Sequence, residues 1–196
     1  NKGAGSFINC YTRYLRAKEY CDHPFDKFKG STHKVRTLYS EHEKIEANFV
    51  SSFSDLNKTP RGVWLMCEDS SHIDSIPDKS IDAVITDPPY LDNIHYSELS
   101  NFFYVWIREF HPNSYFAREY VPTEREAIVD IGLGKGEEGY YQLMKSVFCE
   151  CTRVLKENGI MMFTFHHSKP QAWWIAFRAI VDSGYIVTDY FPVTSE

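Results

Sequence analysis

The chain has 196 residues, of which 43% are hydrophobic and 24% are charged, so the composition predicts a globular domain with a real core. The formal net charge of −6 argues against a basic surface spread over the whole chain, so any phosphate contact has to come from a local basic patch or from another segment. No apolar run reaches about 18 residues, which predicts that the chain does not span a membrane.

The cysteines indicate a reducing environment. There are five, an odd number, and none of them forms a C-x-x-C pair. This pattern argues against a disulfide framework and against a zinc ribbon, and it predicts a cytoplasmic protein.

Residues 1–62 are predicted to form an N-terminal helical segment packed on the core. Apolar residues recur at spacings of three and four over residues 6–21, which predicts a helix with Ser6 as its N-cap. Residues 27–34 follow as a basic loop, interpreted as solvated surface, with a phosphate contact as the alternative. A second helix is predicted over residues 40–56, where an apolar face recurs.

Residues 63–196 are predicted to form the main α/β domain, in which strands and helices alternate. This alternation implies a mainly parallel sheet with right-handed crossovers. The first two predicted strands, residues 63–67 and 81–86, end at Asp69 and at Asp87. The later predicted elements are helices over residues 96–110, 139–157 and 173–181, and strands over residues 160–165 and 185–193. Most of the aromatic residues of the helix over residues 96–110 are predicted to belong to the core.

The end of the strand over residues 81–86 is the most informative point of the sequence. Val84 and Ile85 suit an enclosed strand, and Pro88 and Pro89 end it because neither can donate a ladder hydrogen bond. Each proline also holds the preceding residue extended, which makes the turn stiff. In open α/β sheets the carboxyl ends of the strands are where ligands bind. A proline turn with a purely structural role is the alternative.

The sequence Asp-Pro-Pro-Tyr after an apolar strand resembles motif IV of the S-adenosylmethionine (AdoMet)-dependent amino-methyltransferases. Residues 89–106, Pro-Tyr-Leu-Asp-Asn-Ile-His-Tyr-Ser-Glu-Leu-Ser-Asn-Phe-Phe-Tyr-Val-Trp, resemble more specifically a group of large prokaryotic adenine-specific DNA methylases. The run Arg-Val-Leu-Lys-Glu-Asn-Gly before an apolar strand is widespread in class I methyltransferases. The resemblance covers residues 63–196 and implies a Rossmann-like catalytic half-domain.

The resemblance implies catalytic roles for Asp87, Pro88, Pro89 and Tyr90. The Asp87 carboxylate and the Pro88 carbonyl accept the two hydrogens of the target amine in this family. Proline suits the second acceptor because its fixed φ sets the direction of the carbonyl. The Tyr90 ring stacks on the target base and holds it for in-line attack.

Further residues are implied in binding. Asp69, at the tip of the preceding strand, matches the acid that hydrogen-bonds the adenine amine of AdoMet, and Asp87 also lies at the cofactor. An exposed acid or an N-cap is the alternative interpretation of Asp69. The residues predicted to contact the substrate are Tyr90, Asp92, Asn93 and Tyr96.

The glycine-rich stretch over residues 128–136 resembles motif I, which approaches the cofactor closely in these enzymes. The next predicted strand, however, ends in His166-His167 instead of the acid that binds the ribose. We therefore predict that the stretch is a loop and that motif I lies outside these 196 residues. The sheet is then incomplete, the chain alone binds AdoMet poorly, and its partner is the missing cofactor-binding segment of the same protein.

The predicted function is methyl transfer from AdoMet to the exocyclic amine of a nucleobase, with adenine N6 in DNA as the first choice. A base amino-methyltransferase acting on RNA is one alternative. The other is a non-catalytic methylase-like module that binds nucleic acid or a partner, against which the intact residues 87–90 argue. No metal is predicted, because the spacing of His166 and His167 relative to Cys149 and Cys151 fits no zinc pattern.

Overall fold

A computed structural model describes residues 6–29, 35–39, 46–110 and 116–193 of the chain. The chain divides into two units, Asn1–Met66 and Cys67–Glu196. Helices and strands occur together, and the strands form small two-stranded sheets, two of which are parallel. Among the described residues, no helix combines the length and the apolar character needed to cross a membrane.

The first unit begins with the predicted helix and continues with short strands. The helix is confirmed as α1, and Ser6 stands at its N-cap position, although its hydroxyl makes no capping hydrogen bond. Strands β1 and β2 are antiparallel, and strands β3 and β4 are parallel. The elements are α1 (Phe7–Asp22), β1 (Phe25–Lys29), β2 (Val35–Tyr39), β3 (Asn48–Phe49), α2 (Phe53–Leu56) and β4 (Gly62–Val63).

Two predictions in this unit are wrong. Lys27 belongs to β1 and not to a basic loop, and residues 30–34 of that loop lie outside the described residues. In the helix predicted over residues 40–56, residues 40–45 are likewise outside them, and only α2 is helical. The backbone N–H groups of Asn48 and Val50 donate to carbonyls of the β4 region at 3.0 Å, so this ladder takes the hydrogen bonds that a helix requires.

The second unit contains one parallel strand pair and three long helices. The predicted strand over residues 81–86 and the predicted helix over residues 96–110 are confirmed. The helix predicted over residues 173–181 is also present and begins at Pro170. The elements are β5 (Ile81–Thr86), α3 (Tyr96–Phe110), α4 (Glu137–Val154), β6 (Leu155–Phe163) and α5 (Pro170–Asp182), with short 3-10 turns at Thr123–Arg125 and Ile131–Leu133.

The boundary between α4 and β6 differs from the prediction. The helix predicted to end at residue 157 ends at Val154, because Leu155 has extended backbone angles and lies opposite Ile81 in β5. The register then shifts, and Ala83 lies opposite Ile160. Gly159 falls inside this irregularity, where a Cβ atom would lie 2.9 Å from the Leu155 side chain. Residues 158 and 159, which directly follow the predicted end of the helix, therefore lie in an irregular part of β6.

Two predicted strands do not form as expected. The strand predicted over residues 63–67 continues only to Val63, and the one predicted over residues 185–193 has no regular secondary structure. In the part of the chain that the structure describes, residues 64–69 and 185–193 pair with no strand. An apolar run predicts a strand only where a neighbour completes the ladder, and these runs leave Leu65, Ile186 and Phe191 exposed.

The core of the second unit lies between α4, α5 and β6. Tyr140 and Phe148 of α4 are almost completely buried, as are Ala179 and Ile180 of α5. Leu91 belongs to the same cluster and is 2% exposed. Since Leu91 directly follows Asp-Pro-Pro-Tyr, the core fixes the position of that turn.

The aromatic face of α3 is exposed, so the prediction that most of its aromatic residues belong to the core is wrong. No described residue of α3 is buried. A helical apolar pattern creates a core only where a second layer covers it. The large exposed side chains of α3 include Leu99, Phe102, Phe103, Trp106 and Phe110.

An ion-pair network fixes the loop that leads into β5. Arg153 of α4 donates to the Ile73 and Ile76 carbonyls at 2.9 and 3.0 Å. The same guanidinium pairs with the buried Glu150, which also accepts the Ile73 N–H at 2.7 Å. These hydrogen bonds lower the pKa of Glu150, with that from Arg153 the largest cause, so the carboxylate remains charged at neutral pH.

Candidate functional site

Asp87 is held at the end of β5 by two hydroxyl groups. Thr164, the first residue after β6, and Tyr90 both donate to its Oδ1. Thr164 reaches this position because its backbone N–H donates to the Thr86 carbonyl at 3.2 Å, which brings the two strand ends together. The hydrogen bonds from Thr164 and Tyr90 lower the pKa of Asp87, which therefore carries a full charge at neutral pH.

Asp87 and Pro88 each retain a free acceptor atom. Among the described residues, no hydrogen bond reaches Oδ2 of Asp87 or the carbonyl oxygen of Pro88. The next carbonyl, that of Pro89, accepts the Tyr140 hydroxyl at 2.7 Å. Burial raises the pKa of Tyr140 to about 12, so this hydroxyl is protonated and can donate. The turn thus satisfies the Pro89 carbonyl within the protein, whereas the carbonyl of the buried Pro88 has no hydrogen-bond partner among the described residues.

The turn is held in a backbone conformation that side chains disfavour. Leu91 has φ +53°, in the left-handed region, which costs a residue other than glycine about 1–2 kcal/mol. Burial of the Leu91 side chain opposes this cost, and the Val129 N–H donates to the Leu91 carbonyl at 2.8 Å. Strained residues of this kind persist where the surrounding structure fixes them, and they are enriched at functional sites.

The glycine-rich stretch supports this turn, and the prediction that it is a loop is confirmed. Asp130 and Lys135 form an isolated antiparallel bridge, and Gly134 between them has φ +69°. Lys135 also donates to the Thr123 carbonyl at 3.0 Å. This small loop holds Val129 against Leu91, and no described strand precedes it, in contrast to motif I.

The Tyr90 ring is one member of a row of aromatic side chains. Phe165 lies edge-on to it, with ring centroids 5.1 Å apart, and Trp173 lies edge-on to Phe165 at 5.0 Å. Burial and the hydrogen bond to Asp87 raise the pKa of Tyr90, so its hydroxyl stays protonated. The row positions a partly buried aromatic ring beside the Asp87 carboxylate.

Of the other predicted substrate residues, Asp92 is engaged within the protein. Its Oδ1 lies 2.9 Å from Nε2 of His167, and its Oδ2 lies 2.6 Å from Nζ of Lys169. These contacts, with that from Lys169 the largest, lower the pKa of Asp92. Asn93 and Tyr96 are exposed, and the Asn93 backbone N–H closes the turn onto the Tyr90 carbonyl at 3.1 Å.

Asp69 lies in a separate set of contacts. The Ser71 hydroxyl and N–H donate to its Oδ1 at 2.7 and 2.9 Å, and these hydrogen bonds lower the pKa of Asp69. Its Oδ2 pairs with Arg125 at 3.4 Å. No hydrogen bond or ion pair joins Asp69 to residues 87–90 within the described ranges. It follows irregular backbone, because β4 ends at Val63.

One cluster near this site contains metal-ligand atoms. His95, Glu98 and Asp130 each place one potential ligand atom within 4.8 Å of the others. An imidazole and two carboxylates can bind a divalent metal. Two of these residues also have partners within the protein, since Nδ1 of His95 lies 3.3 Å from Oδ2 of Asp130 and the Leu133 N–H donates to Oδ1 of Asp130.

The sequence analysis missed Thr164 and Tyr140. A signal for Thr164 was present in the sequence, because Thr164 lies one residue before the end of the strand predicted over residues 160–165. The carboxyl ends of adjacent parallel strands meet at one edge of a sheet, where Asp87 also lies. No sequence signal pointed to the role of Tyr140, because its hydroxyl reaches the Pro89 carbonyl from a helix that is distant in sequence. It was expected only as part of a helix.

We expect Tyr140→Phe to loosen the turn. The change leaves the Pro89 carbonyl without its donor and lowers the free energy of unfolding by about 1–2 kcal/mol. Urea denaturation measures this loss, and hydrogen exchange of the Leu91 and Asn93 amides reports on the turn. Tyr141→Phe is the matched control, because its hydroxyl binds Asp182 and not the turn. Equal exchange at the turn in both variants would contradict this role for Tyr140.

Comparison with protein-family models, with curated proteins and with solved structures finds no match to the chain. The chemistry of the site therefore rests on the atoms around Asp87. These are an ionised carboxylate with one free oxygen, the free Pro88 carbonyl and the ring of Tyr90. Both oxygens are of a type that accepts hydrogen bonds, and they lie on the consecutive residues Asp87 and Pro88, shortly before the aromatic residue Tyr90 in the sequence.

Proposed function

We propose that this chain is the base-binding half of an AdoMet-dependent amino-methyltransferase that acts on adenine N6 in DNA. The observation that supports the proposal is the pair of free acceptors, Oδ2 of Asp87 and the carbonyl of Pro88, on consecutive residues at the end of β5. An exocyclic amine carries two hydrogens in one plane. Two neighbouring acceptors beside the Tyr90 ring match that group.

The two acceptors make the amine nucleophilic. The lone pair of an exocyclic amine is delocalised into the base, so the nitrogen is unreactive in water. Hydrogen bonds from the amine to the Asp87 carboxylate and to the Pro88 carbonyl draw the nitrogen toward tetrahedral geometry and localise the lone pair. Asp87 is suited to this because its lowered pKa keeps it ionised, and Pro88 because its ring fixes the backbone.

AdoMet supplies a methyl group on a sulfonium, and its transfer leaves a thioether and a methylated ammonium nitrogen that releases a proton to water. Because that ammonium is acidic, the chain needs no dedicated general base. Tyr90 holds the base flat, and such positioning removes a large part of a reaction barrier. A base in a duplex has to be flipped out of the stack to reach Asp87.

We also propose that a further segment of the same protein binds AdoMet and covers the β5–β6 sheet. Ile85 of β5 is 73% exposed and Ile160 of β6 is 68% exposed. Parallel sheets are almost always covered on both faces, so these side chains favour additional strands or helices. We assign two residues of the described chain to the cofactor, Asp69 and Asp87. Asp69 would bind the adenine amine of AdoMet, and its carboxylate also pairs with Arg125.

Calorimetry tests whether the cofactor site is incomplete. We expect titration of this chain with AdoMet to show no tight binding, because no strand among the described residues leads into a glycine-rich turn of the kind that binds the methionine part of the cofactor. The full-length protein is expected to bind AdoMet with a stoichiometry of one. Tight, stoichiometric binding to this chain alone would contradict the missing segment.

The proposed reaction is tested with the full-length protein and AdoMet carrying a tritiated methyl group. We expect label in unmethylated DNA, with RNA as the parallel substrate. Label in RNA alone would reassign the substrate to an RNA base. Label in neither, with binding to nucleic acid retained, would favour a non-catalytic binding module.

A further inference from the structure

The loop between β6 and α5, residues 164–169, contacts the Asp-Pro-Pro-Tyr segment at each end. Thr164 donates to Asp87, and the Phe165 ring packs against Tyr90. Further along the loop, His167 and Lys169 bind Asp92. The loop therefore contacts the turn at Asp87 and Tyr90 and also contacts Asp92, two residues after Tyr90.

His167 is the most enclosed polar side chain in this loop, with a side chain that is 2% exposed. The backbone N–H of Lys169 donates to its Nδ1 at 3.0 Å, so Nδ1 is the unprotonated nitrogen. Its Nε2 then carries the hydrogen and donates to Oδ1 of Asp92 at 2.9 Å. Both ring nitrogens have partners within the protein, so neither is free to contact a substrate. Its contacts fit a residue that acts through Asp92.

Asp92 is fixed from two directions. The enclosed imidazole of His167 binds one carboxylate oxygen, and the ammonium of Lys169 binds the other at 2.6 Å. Each oxygen of Asp92 therefore has a partner within the protein. The indole N–H of Trp173 also donates to the His167 carbonyl at 2.9 Å, while the Trp173 ring packs on Phe165 beside Tyr90. Tyr90 and Asp92 are thus tied to the same loop by different contacts.

We propose that His167 and Lys169 are positioning residues that hold Asp92, and through it the Leu91 turn, so that the Tyr90 ring and the Pro88 carbonyl face the target base. This inference rests on the proposed methyl transfer and assigns Asp92 a positioning role in place of the predicted substrate contact. These contacts to Asp92 are needed because the neighbouring residue, Leu91, has a strained left-handed backbone conformation. Without the hydrogen bond from His167, the turn can relax away from its strained geometry.

The test compares His167→Leu with His167→Gln in the full-length protein. Leucine removes the hydrogen bond to Asp92, whereas the side-chain amide of glutamine can still donate to it. For His167→Leu we expect kcat for methyl transfer to fall about 10–100-fold, since small misplacements near a reacting group have effects of this size. We expect KM for DNA and for AdoMet to change by less than about threefold, because neither ring nitrogen of His167 is free to bind them.

A second measurement does not depend on activity. Hydrogen exchange of the Asn93 amide, which donates to the Tyr90 carbonyl across the turn, is expected to be about tenfold faster in His167→Leu, with the amides of α4 unchanged. His167→Gln is expected to restore both the rate and the protection. Lys156→Ala is the control, because it removes an exposed lysine–aspartate pair on the same two strands, away from the loop.

The outcomes separate this inference from the proposed function. One outcome is that the wild-type protein transfers no methyl group while His167→Leu still accelerates hydrogen exchange at the turn. The proposed function is then wrong, and the contact between His167 and Asp92 stabilises the fold only, which overturns the positioning role. If transfer occurs and His167→Leu leaves both kcat and exchange at wild-type values, the inference is wrong. If His167→Leu does not fold, the test uses Lys169→Met and His167→Gln instead. The inference is supported if Lys169→Met shows faster hydrogen exchange at the turn and a lower kcat, while both quantities in His167→Gln stay near their wild-type values. Wild-type exchange and kcat in Lys169→Met would contradict it.

Discussion

Asp87→Ala is expected to reduce methyl transfer by the full-length protein about 10³-fold or more, because it removes a charged acceptor from the reacting amine. The Pro88 carbonyl remains, but one acceptor alone cannot localise the lone pair of the amine. The side chain is exposed and its partners are hydroxyl groups that water can satisfy, so the free energy of unfolding should change by about 1 kcal/mol or less. Initial rates and urea denaturation measure the two effects.

Two variants make this result specific to Asp87. Asp87→Asn keeps an acceptor oxygen without the charge and should retain more activity than the alanine variant. Asp82→Ala changes the same residue type on the same strand, where Asp82 is exposed and pairs with Lys156, and it should leave the rate unchanged. Activity of Asp87→Ala at the wild-type level would dismiss the catalytic assignment.

Tyr90→Ala is expected to have the second-largest effect, a fall of about 10²-fold in the rate of methyl transfer, because it removes the ring that holds the target base flat. Tyr90→Phe keeps the ring and its edge-on contact with Phe165, so its rate should fall about tenfold or less. The phenylalanine variant still loses a hydrogen bond to Asp87, which Thr164 continues to bind.

The pair of Tyr90 variants has an internal control. Tyr141→Phe also removes a hydroxyl that donates to an aspartate, Asp182, but this pair joins α4 to α5 and does not involve β5. Its rate should equal that of the wild type. If Tyr90→Phe proved as damaging as Tyr90→Ala, the hydroxyl and not the ring would carry the function, and base stacking by Tyr90 would be wrong.

Local sequence patterns were sufficient to predict the positions of β5 and α3. The two prolines end β5 because neither can donate a ladder hydrogen bond, and the spacing of apolar residues in α3 indicates a helix from the local pattern alone. The turn that contains Asp87 could therefore be placed from sequence. The glycine-rich stretch could also be assigned to a loop, because the strand after it lacks the acid that motif I requires.

Features that depend on long-range contacts could not be predicted. Whether residues 63–67 form a strand depends on a neighbour, and the apolar face of α3 becomes core only under a covering layer. The hydrogen bond from Thr164 to Asp87 and that from His167 to Asp92 each connect residues far apart in the chain. Only the pairing of β5 with β6 brings these side chains together.

Identification of the methylated product tests the central claim most directly. Unmethylated DNA is incubated with the full-length protein and AdoMet carrying a deuterated methyl group. The DNA is then digested to nucleosides, which are identified by mass spectrometry. We predict deuterated N6-methyladenine with the wild-type protein and with Asp82→Ala, and none above background with Asp87→Ala. Deuterium on a ring carbon, or equal amounts of N6-methyladenine from the wild type and from Asp87→Ala, would contradict an amino-methyltransferase centred on Asp87.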